Sequence, residues 1–385
     1  MSNIELGHAT GYSAENDCAS RLSPLGDREK LLSPTGDRLV IMANGVPREA
    51  QKIVVGDKIL GQNGIPRAVI AKSRETGKLY KISPNRGEPF IMGEKQILSL
   101  VTTPTKKGEE RKNVSITVGE YVGKSKGFKH LHKIPLPKGA IEFNMTKGHE
   151  FEIEPYFLGL LLGDGSYVKN IDIAVAHADL EVAAEISRQA KVMGLKLAKI
   201  DNSVSEKCAS YKLYAPQRGV KNNLIEALKG LGLWGVRCKE KFVPDKYLYS
   251  TPEVRLNLLA GLIDTDGHLY KDTLYTIETA SETLATNIDF LAKSLGFASH
   301  FKKRIRKPSK DCNVERTHYY LDICGDIERI PVHLPKKKIS ERKRNLMSST
   351  VCGFSLEEVG GGIYTILSVD GDGHFFGENF FTFQN

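Results

Sequence analysis

Two carboxylates recur in the same frame of this chain. Asp266 closes the stretch Leu259-Ala260-Gly261-Leu262-Ile263-Asp264-Thr265-Asp266-Gly267, and Asp164 closes a looser copy, Phe157-Leu158-Gly159-Leu160-Leu161-Leu162-Gly163-Asp164-Gly165. Each copy reads as an apolar helix with a small residue on one face, ending in an acid and a glycine. The frame runs on. Asp164 to Gly194 and Asp266 to Gly296 span equal distances, and Val182, Ala183 and Ile186 stand where Leu284, Ala285 and Ile288 stand. Two equivalent units, each offering one carboxylate from a helix end, suggest a pseudo-twofold site where two acids meet. Gly159 and Gly163 in one copy, and Ala260 and Gly261 in the other, let two such helices approach closely. Acids at helix C-terminal ends oppose the helix dipole, which favours cations there. Hard divalent cations such as Mg²⁺ relieve that conflict, since they take carboxylate and water oxygens. Paired ions of this kind activate a water and stabilise the leaving oxygen of a phosphodiester.

A single Gly-Asp-Gly is better read as a turn after a core helix; the duplication reverses that balance. Other motif readings fail. Asp264-Thr265-Asp266-Gly267 starts like a calcium loop, but its glycine comes two positions early and no glutamate closes it. Gly119 to Gly123-Lys124-Ser125 is one spacer residue short of a phosphate loop.

Helical periodicity predicts helices over 154–162, 180–193, 222–231, 252–262 and 282–295. Strand patterns lie between them at 171–176, 210–214, 273–279, 298–303 and 319–323. The order is helix, strands, helix, strands, twice over. Before this region, residues 38–100 read as short strands between turns such as Ala43-Asn44-Gly45 and Gln62-Asn63-Gly64. Residues 102–150 read as an extended, charged excursion. After Arg344 the chain returns to strand patterns over 362–369 and 374–383. A β region interrupted by an α/β insert and then resumed indicates one domain inserted in another. Residues 1–32, polar and aperiodic, read as a loose leader.

With 385 residues and 40% apolar content, the chain is an ordinary globular one. Its longest apolar run, around Leu158–Leu162, is far too short to span a bilayer, and no apolar signal segment opens it. The six cysteines form no Cys-x-x-Cys pair, which fits reduced thiols, argues against a zinc finger and points to an intracellular setting. The net charge of +9 is clustered in 124–138, 302–310 and 336–344. Three basic segments flanking duplicated carboxylates suit a polyanion. The candidate DNA contacts are Lys124, Lys126, Lys129, Lys302, Lys303, Arg304, Arg306, Lys307, Lys310, Lys336 and Lys338, with 304–310 expected on a loop that grips phosphates.

The double motif resembles the LAGLIDADG homing endonucleases in their single-chain, two-repeat form. That resemblance implies that Asp164 and Asp266 bind the catalytic metal, two or three Mg²⁺ ions shared between them, with Gly163 and Thr265 as neighbouring ligands. It also implies an active-site lysine ahead of the second motif in a Lys-x-Ile/Val-Pro context, here Lys241-Phe242-Val243-Pro244. A symmetry-related lysine is expected after the second repeat; Lys337 is the choice, though Lys336 or Lys338 could serve. Such lysines would stabilise phosphate charge or polarise the attacking water.

The flanks resemble inteins, especially the yeast vacuolar ATPase type, and the related mating-type switching endonuclease. Val40 to Gly45 with Val55-Gly56-Asp57-Lys58 is similar to a first splicing block, and Tyr364 to Asn385 to the last two. Splicing chemistry breaks down here. Ser33 falls at the junction and is followed by a stiff Pro34. The first assisting histidine is replaced by Gln96 and the penultimate one by Gln384, ahead of Asn385. Glutamine cannot shuttle a proton near neutral pH.

The expected fold is α+β: a β-rich Hint-like domain at 33–146 and 345–385, with a two-repeat αββαββα endonuclease inserted at 147–344, the repeats covering about 147–245 and 246–344. The expected protein is a free-standing, monomeric DNA endonuclease of intein origin, acting on a long asymmetric double-stranded site, with no membrane association, and nuclear if the host is eukaryotic. Two rivals stand beside it, a splicing-competent intein and a non-cutting DNA-binding protein or RNA maturase. Residues 33–385 placed between two reporter proteins should yield no ligated product, as followed by gel mobility. Gln96→His with Gln384→His should not restore ligation.

Overall fold

The computed structural model describes residues 38–85, 87–106, 109–137, 139–143, 150–201, 208–306, 315–340 and 350–384. The leader at 1–32 lies outside them.

Two helices form the centre. The first, α1 (Pro155–Gly163), starts at Glu154, whose side chain accepts the Phe157 amide at 3.0 Å, with Pro155 at its first position. The second, α2 (Pro252–Asp266), starts at Thr251 with Pro252 behind it. Every α1 residue from Tyr156 to Leu162 is buried, and α2 is buried from Leu258 to Asp264. Over these spans both are core helices and not amphipathic surface ones. Amphipathic partners flank them. In Leu180–Val192, Val182, Ile186 and Ala190 are buried while Leu180 and Val192 face water. Glu282–Ser294 does the same work in the second repeat and is capped by Ser281.

The central pair packs backbone to backbone. A Cβ on Gly261 would lie 2.9 Å from the Gly159 Cα and would collide with the Tyr156 carbonyl oxygen. A Cβ on Gly159 would lie 2.8 Å from the Gly261 Cα. The duplicated glycines therefore face each other, and no other residue fits either position without moving a helix.

Each repeat lays an antiparallel four-stranded sheet against its flanking helix. In the first repeat the order is Lys196–Asp201, Cys208–Tyr214, Ile171–Ala176, Gly165–Ser166. In the second it is Gly267–Tyr270, Leu274–Thr279, Arg316–Cys324, Ala298–Arg306. Alternation sets the faces: Tyr275, Ile277, Leu321 and Ile323 enter the core, and their neighbours point away from it.

The β region is joined across the chain. Strand Pro66–Pro84 pairs antiparallel with Phe354–Val369 from Phe354↔Pro84 to Val369↔Val69. A second sheet runs Val351–Cys352, His132–Pro135, Ile97–Thr102, Thr382–Gln384, His374–Phe376, with Asn113–Thr117 also paired to Ile97–Thr102. The expected extended excursion at 102–150 is corrected here. Strand Asn113–Thr117, helices Val118–Val122 and Lys126–Leu131, and strand His132–Pro135 fold it into this sheet. A capping box at Thr117 and Glu120 and an N-cap at Ser125 start the two helices, signals that the lysine-rich composition masked. The described cysteines 208, 238, 324 and 352 are free thiols, and no described helix is long and apolar enough to cross a membrane.

Because the helix contact is glycine on glycine, Gly261→Ala should destabilise the chain by about 3 kcal/mol or prevent folding. Urea unfolding measures this, and a loss under about 0.5 kcal/mol would contradict the packing.

Candidate active site

The C-terminal ends of α1 and α2 converge, and each ends in a carboxylate. Asp164 is the C-cap of α1 and Asp266 the last residue of α2. The two carboxyls repel one another. Asp266 is pushed up to about 7, first by the protein crowding it and then by Asp164. Asp164 is also raised, by crowding above all, although its side chain reaches the surface. No hydrogen bond contributes to either shift. The pair offers two hard oxygen donors at the adjoining ends of the two helices. That donor set fits a divalent cation, with water and phosphate oxygens completing the shell. Among the described residues no cluster of three or more His, Cys, Asp or Glu side chains could hold an ion.

Beneath each acid lies a buried lysine. The Lys241 ammonium donates to the carbonyls of Leu162 at 2.9 Å, Gly163 at 2.7 Å and Gly165 at 2.8 Å. The Lys337 ammonium donates to Ile263 at 2.6 Å, Asp264 at 2.8 Å and Thr265 at 3.3 Å. Each cation therefore closes the C-terminus of one central helix and offsets its dipole. Burial lowers both lysine pKa values; Asp266 and Asp164 oppose this for Lys241, Asp264 for Lys337. Both lysines follow from one local device, a single helical turn: Cys238–Glu240 ahead of Lys241, and Pro335–Lys337. The pattern Lys241-Phe242-Val243 recurs as Lys337-Lys338-Ile339.

Of the three tail lysines, only Lys337 reaches the centre. Lys336 is exposed and pairs with Asp179 of the first repeat, and Lys338 is exposed. The expected metal ligands Gly163 and Thr265 have carbonyl oxygens that accept from Lys241 and Lys337, which leaves each oxygen a second lone pair. The Thr265 hydroxyl donates back to Gly261 at 3.0 Å.

The basic residues divide. Lys302, Arg304 and Arg306 lie on strand Ala298–Arg306, paired as far as Arg306↔Arg316, so the expected loop begins later. Lys303 sits opposite the buried Tyr319 and so lies on the other face from those three. Lys124, Lys126 and Lys129 are on or beside the short helices of the β region. Lys129 donates to the Val122 carbonyl at 2.7 Å, and Lys124 stands 5.7 Å from the Phe128 ring. Lys307, Lys310, Ser33 and Asn385 lie outside the described residues. Gln96 is buried, accepting the Gly93 amide at 2.9 Å and donating to the Thr365 carbonyl at 2.7 Å. Gln384 accepts from the Ser115 hydroxyl and pairs across the strand with His374.

One buried network escaped the sequence reading. Tyr156 donates its hydroxyl to Asp264 at 2.7 Å, and the His333 amide donates to the same oxygen at 2.6 Å. The Tyr156 and His333 rings stack with centroids 3.8 Å apart. The available signal was the asymmetry of the copies, since Asp264 occupies the place of Leu162.

Residues 242–329 match the family described as homing endonuclease. The homothallic switching endonuclease of Saccharomyces cerevisiae is 28% identical over 160 residues, 37% of this chain and 27% of that protein. The replicative DNA helicase DnaB of Mycobacterium intracellulare is 25% identical over 205 residues, 53% of this chain and 29% of that protein. The chain spans about a third of the length of the curated relatives it matches. Among solved structures, I-DmoI in complex with DNA and Mn aligns with a TM-score of 0.31 at 12% identity, covering 48% of this chain and 98% of that one. The gp41-1 intein aligns with a TM-score of 0.19 at 21% identity, covering 26% of this chain and 66% of that one.

A carboxyl raised in the folded state is protonated more readily there than in the unfolded chain. Its ionisation therefore costs stability as pH rises from the ordinary carboxylate range through about 7. In metal-free buffer at pH 8, Asp266→Asn should be more stable than the parent by ~2 kcal/mol, a figure discounted for partial solvent access. At pH 4 the two should unfold alike. Urea unfolding at both pH values checks the sign.

Proposed function

We propose that this chain is a site-specific double-strand DNA endonuclease, derived from an intein whose splicing has been lost. The observation that carries the reading is the meeting of Asp164 and Asp266 at the ends of duplicated helices, each backed by a buried lysine. One carboxylate from each repeat suits a substrate with two strands related by a local twofold. The pair would hold Mg²⁺, which supplies charge to activate a water and stabilise the leaving oxygen. The protein's own contribution is positional. Gly159 and Gly261 fix the helix spacing, and Lys241 and Lys337 bring positive charge beneath the scissile phosphates without competing for the carboxylates. Outward strand faces of the two sheets suit the major groove, where base edges are distinct. A long asymmetric target follows from two sheets of different sequence on one chain, acting as a monomer.

The splicing rival has one observation in its favour: His374 places an imidazole directly across from Gln384. Against it, the place of the first assisting histidine is held by Gln96, which is bonded to Gly93 and Thr365 and shuttles no proton near neutral pH. Neither rival explains two acids at one axis, which DNA binding alone does not need.

Asp164→Asn and Asp266→Asn should each abolish double-strand cleavage, by more than about 100-fold, while leaving DNA affinity nearly unchanged. Plasmid libraries digested with Mg²⁺ and sequenced at their ends provide the assay. Undiminished cutting by either variant would remove the assignment.

A further inference from the structure

The two outward sheet faces are duplicated in topology and unlike in chemistry. In the second repeat the outward side chains are tied to one another. The Lys302 ammonium meets the Asp322 carboxylate at 2.8 Å, and the Thr276 hydroxyl donates to the other Asp322 oxygen at 2.9 Å. Nη2 of Arg306 donates to Glu278 at 2.8 Å and to the Tyr320 hydroxyl at 2.6 Å. The His318 ring nitrogen lies 2.8 Å from Glu278, and Arg304 stacks 4.7 Å from the Tyr320 centroid.

The first repeat differs. Its outward positions include Ala174, Ala198 and Ile200, and among its described residues the one tie on this face is Ser210 donating to Asp172 at 2.7 Å. Lys212 stands directly across from Asp172 in the register, with no ion pair between them among the described residues, and Lys196 stands across from Tyr214.

Charge explains why the difference matters. An isolated acid on a DNA-facing sheet is repelled by phosphate. Glu278 and Asp322 are instead neutralised by Arg306 and Lys302, which leaves acceptors and donors held in fixed directions. Fixed polar groups lose little entropy on binding and punish a mismatched base edge, because a rigid donor or acceptor is left unpaired. Apolar and mobile side chains accept many sequences. Glu278 lies on the strand paired with Gly267–Tyr270, which follows Asp266 directly, so this cluster lies beside the two acids.

We propose that the second repeat's sheet is the discriminating half of the DNA surface, with Glu278 and Arg306 as its specificity-determining residues, and that the first repeat's half-site is read loosely. This rests on the endonuclease reading above.

The test is selection from a pool of duplexes randomised through their centre, using the full chain in EDTA so that no strand is cut. The selected sequences should be strongly defined in one half and weakly in the other. Glu278→Gln and the surface variant Arg306→Ala should each relax the defined half alone, by about ten- to hundred-fold at the affected base pairs. Asp172→Asn and Lys212→Ala should leave that half unchanged. Equal definition of the two halves, or a defined half that responds to Asp172→Asn and not to Glu278→Gln, overturns the proposal while sparing the endonuclease reading. A pool with no enriched sequence overturns both.

Discussion

Two α-helices reach backbone contact only where neither carries a side chain, and here Gly159 meets Gly261. The contact has an electrostatic consequence. Helices this close bring their C-terminal ends together, and each end adds exposed carbonyls and one carboxylate. Unopposed, that concentration of negative charge would split the pair. Lys241 and Lys337 oppose it from below, each bound to the final carbonyls of one helix. Neither lysine reaches the carboxylates by a hydrogen bond, so the acids stay free for a cation above while the helix ends are held from beneath. The same arrangement makes the chain less stable when Asp266 ionises.

The core ties the two repeats to the β region. Arg255, fully buried on α2, donates to the Ser250 carbonyl at 2.9 Å and to the Ser294 hydroxyl and the Ile141 carbonyl. Its guanidinium lies 4.4 Å from the Phe143 ring. Burial lowers its pKa to about 9, which leaves it charged at neutral pH. Nearby, a Cβ on Gly45 would lie 2.8 Å from Tyr249, and one on Gly296 would lie 2.8 Å from the Gly139 backbone. Residues of the first strand, Ile41, and of the last segments, Phe376 and Phe380, share the helices' core. Any DNA surface on the β region would then keep a fixed relation to the catalytic centre.

Much was legible in the sequence because it is local or duplicated. The helix spans 180–193 and 282–295 each fall within one residue of the observed Leu180–Val192 and Glu282–Ser294, since apolar spacing and capping residues are read from neighbours in sequence. Strand 171–176 coincides with Ile171–Ala176. The acids Asp164 and Asp266 were visible because a repeated frame carries information that one copy lacks. Strand Lys196–Asp201 was missed: its exposed edge position puts no apolar alternation into the sequence. The helices at Val118–Val122 and Lys126–Leu131 were missed because they are too short to show a period.

What the sequence alone determined, then, is the duplicated pattern of helix, acid and glycine, and the amphipathic partners. Only the tertiary structure decided which tail lysine serves the centre, because Lys336, Lys337 and Lys338 have the same chemistry. A single helical turn at Pro335–Lys337 rotates one of them inward and leaves its neighbours outside. The structure likewise decided that the Gly163 and Thr265 carbonyls serve lysines, and that Glu278, Arg306 and Tyr320 gather on one face. Those relations depend on strand register and helix rotation, which bring together residues far apart in the chain and leave no trace in local spacing.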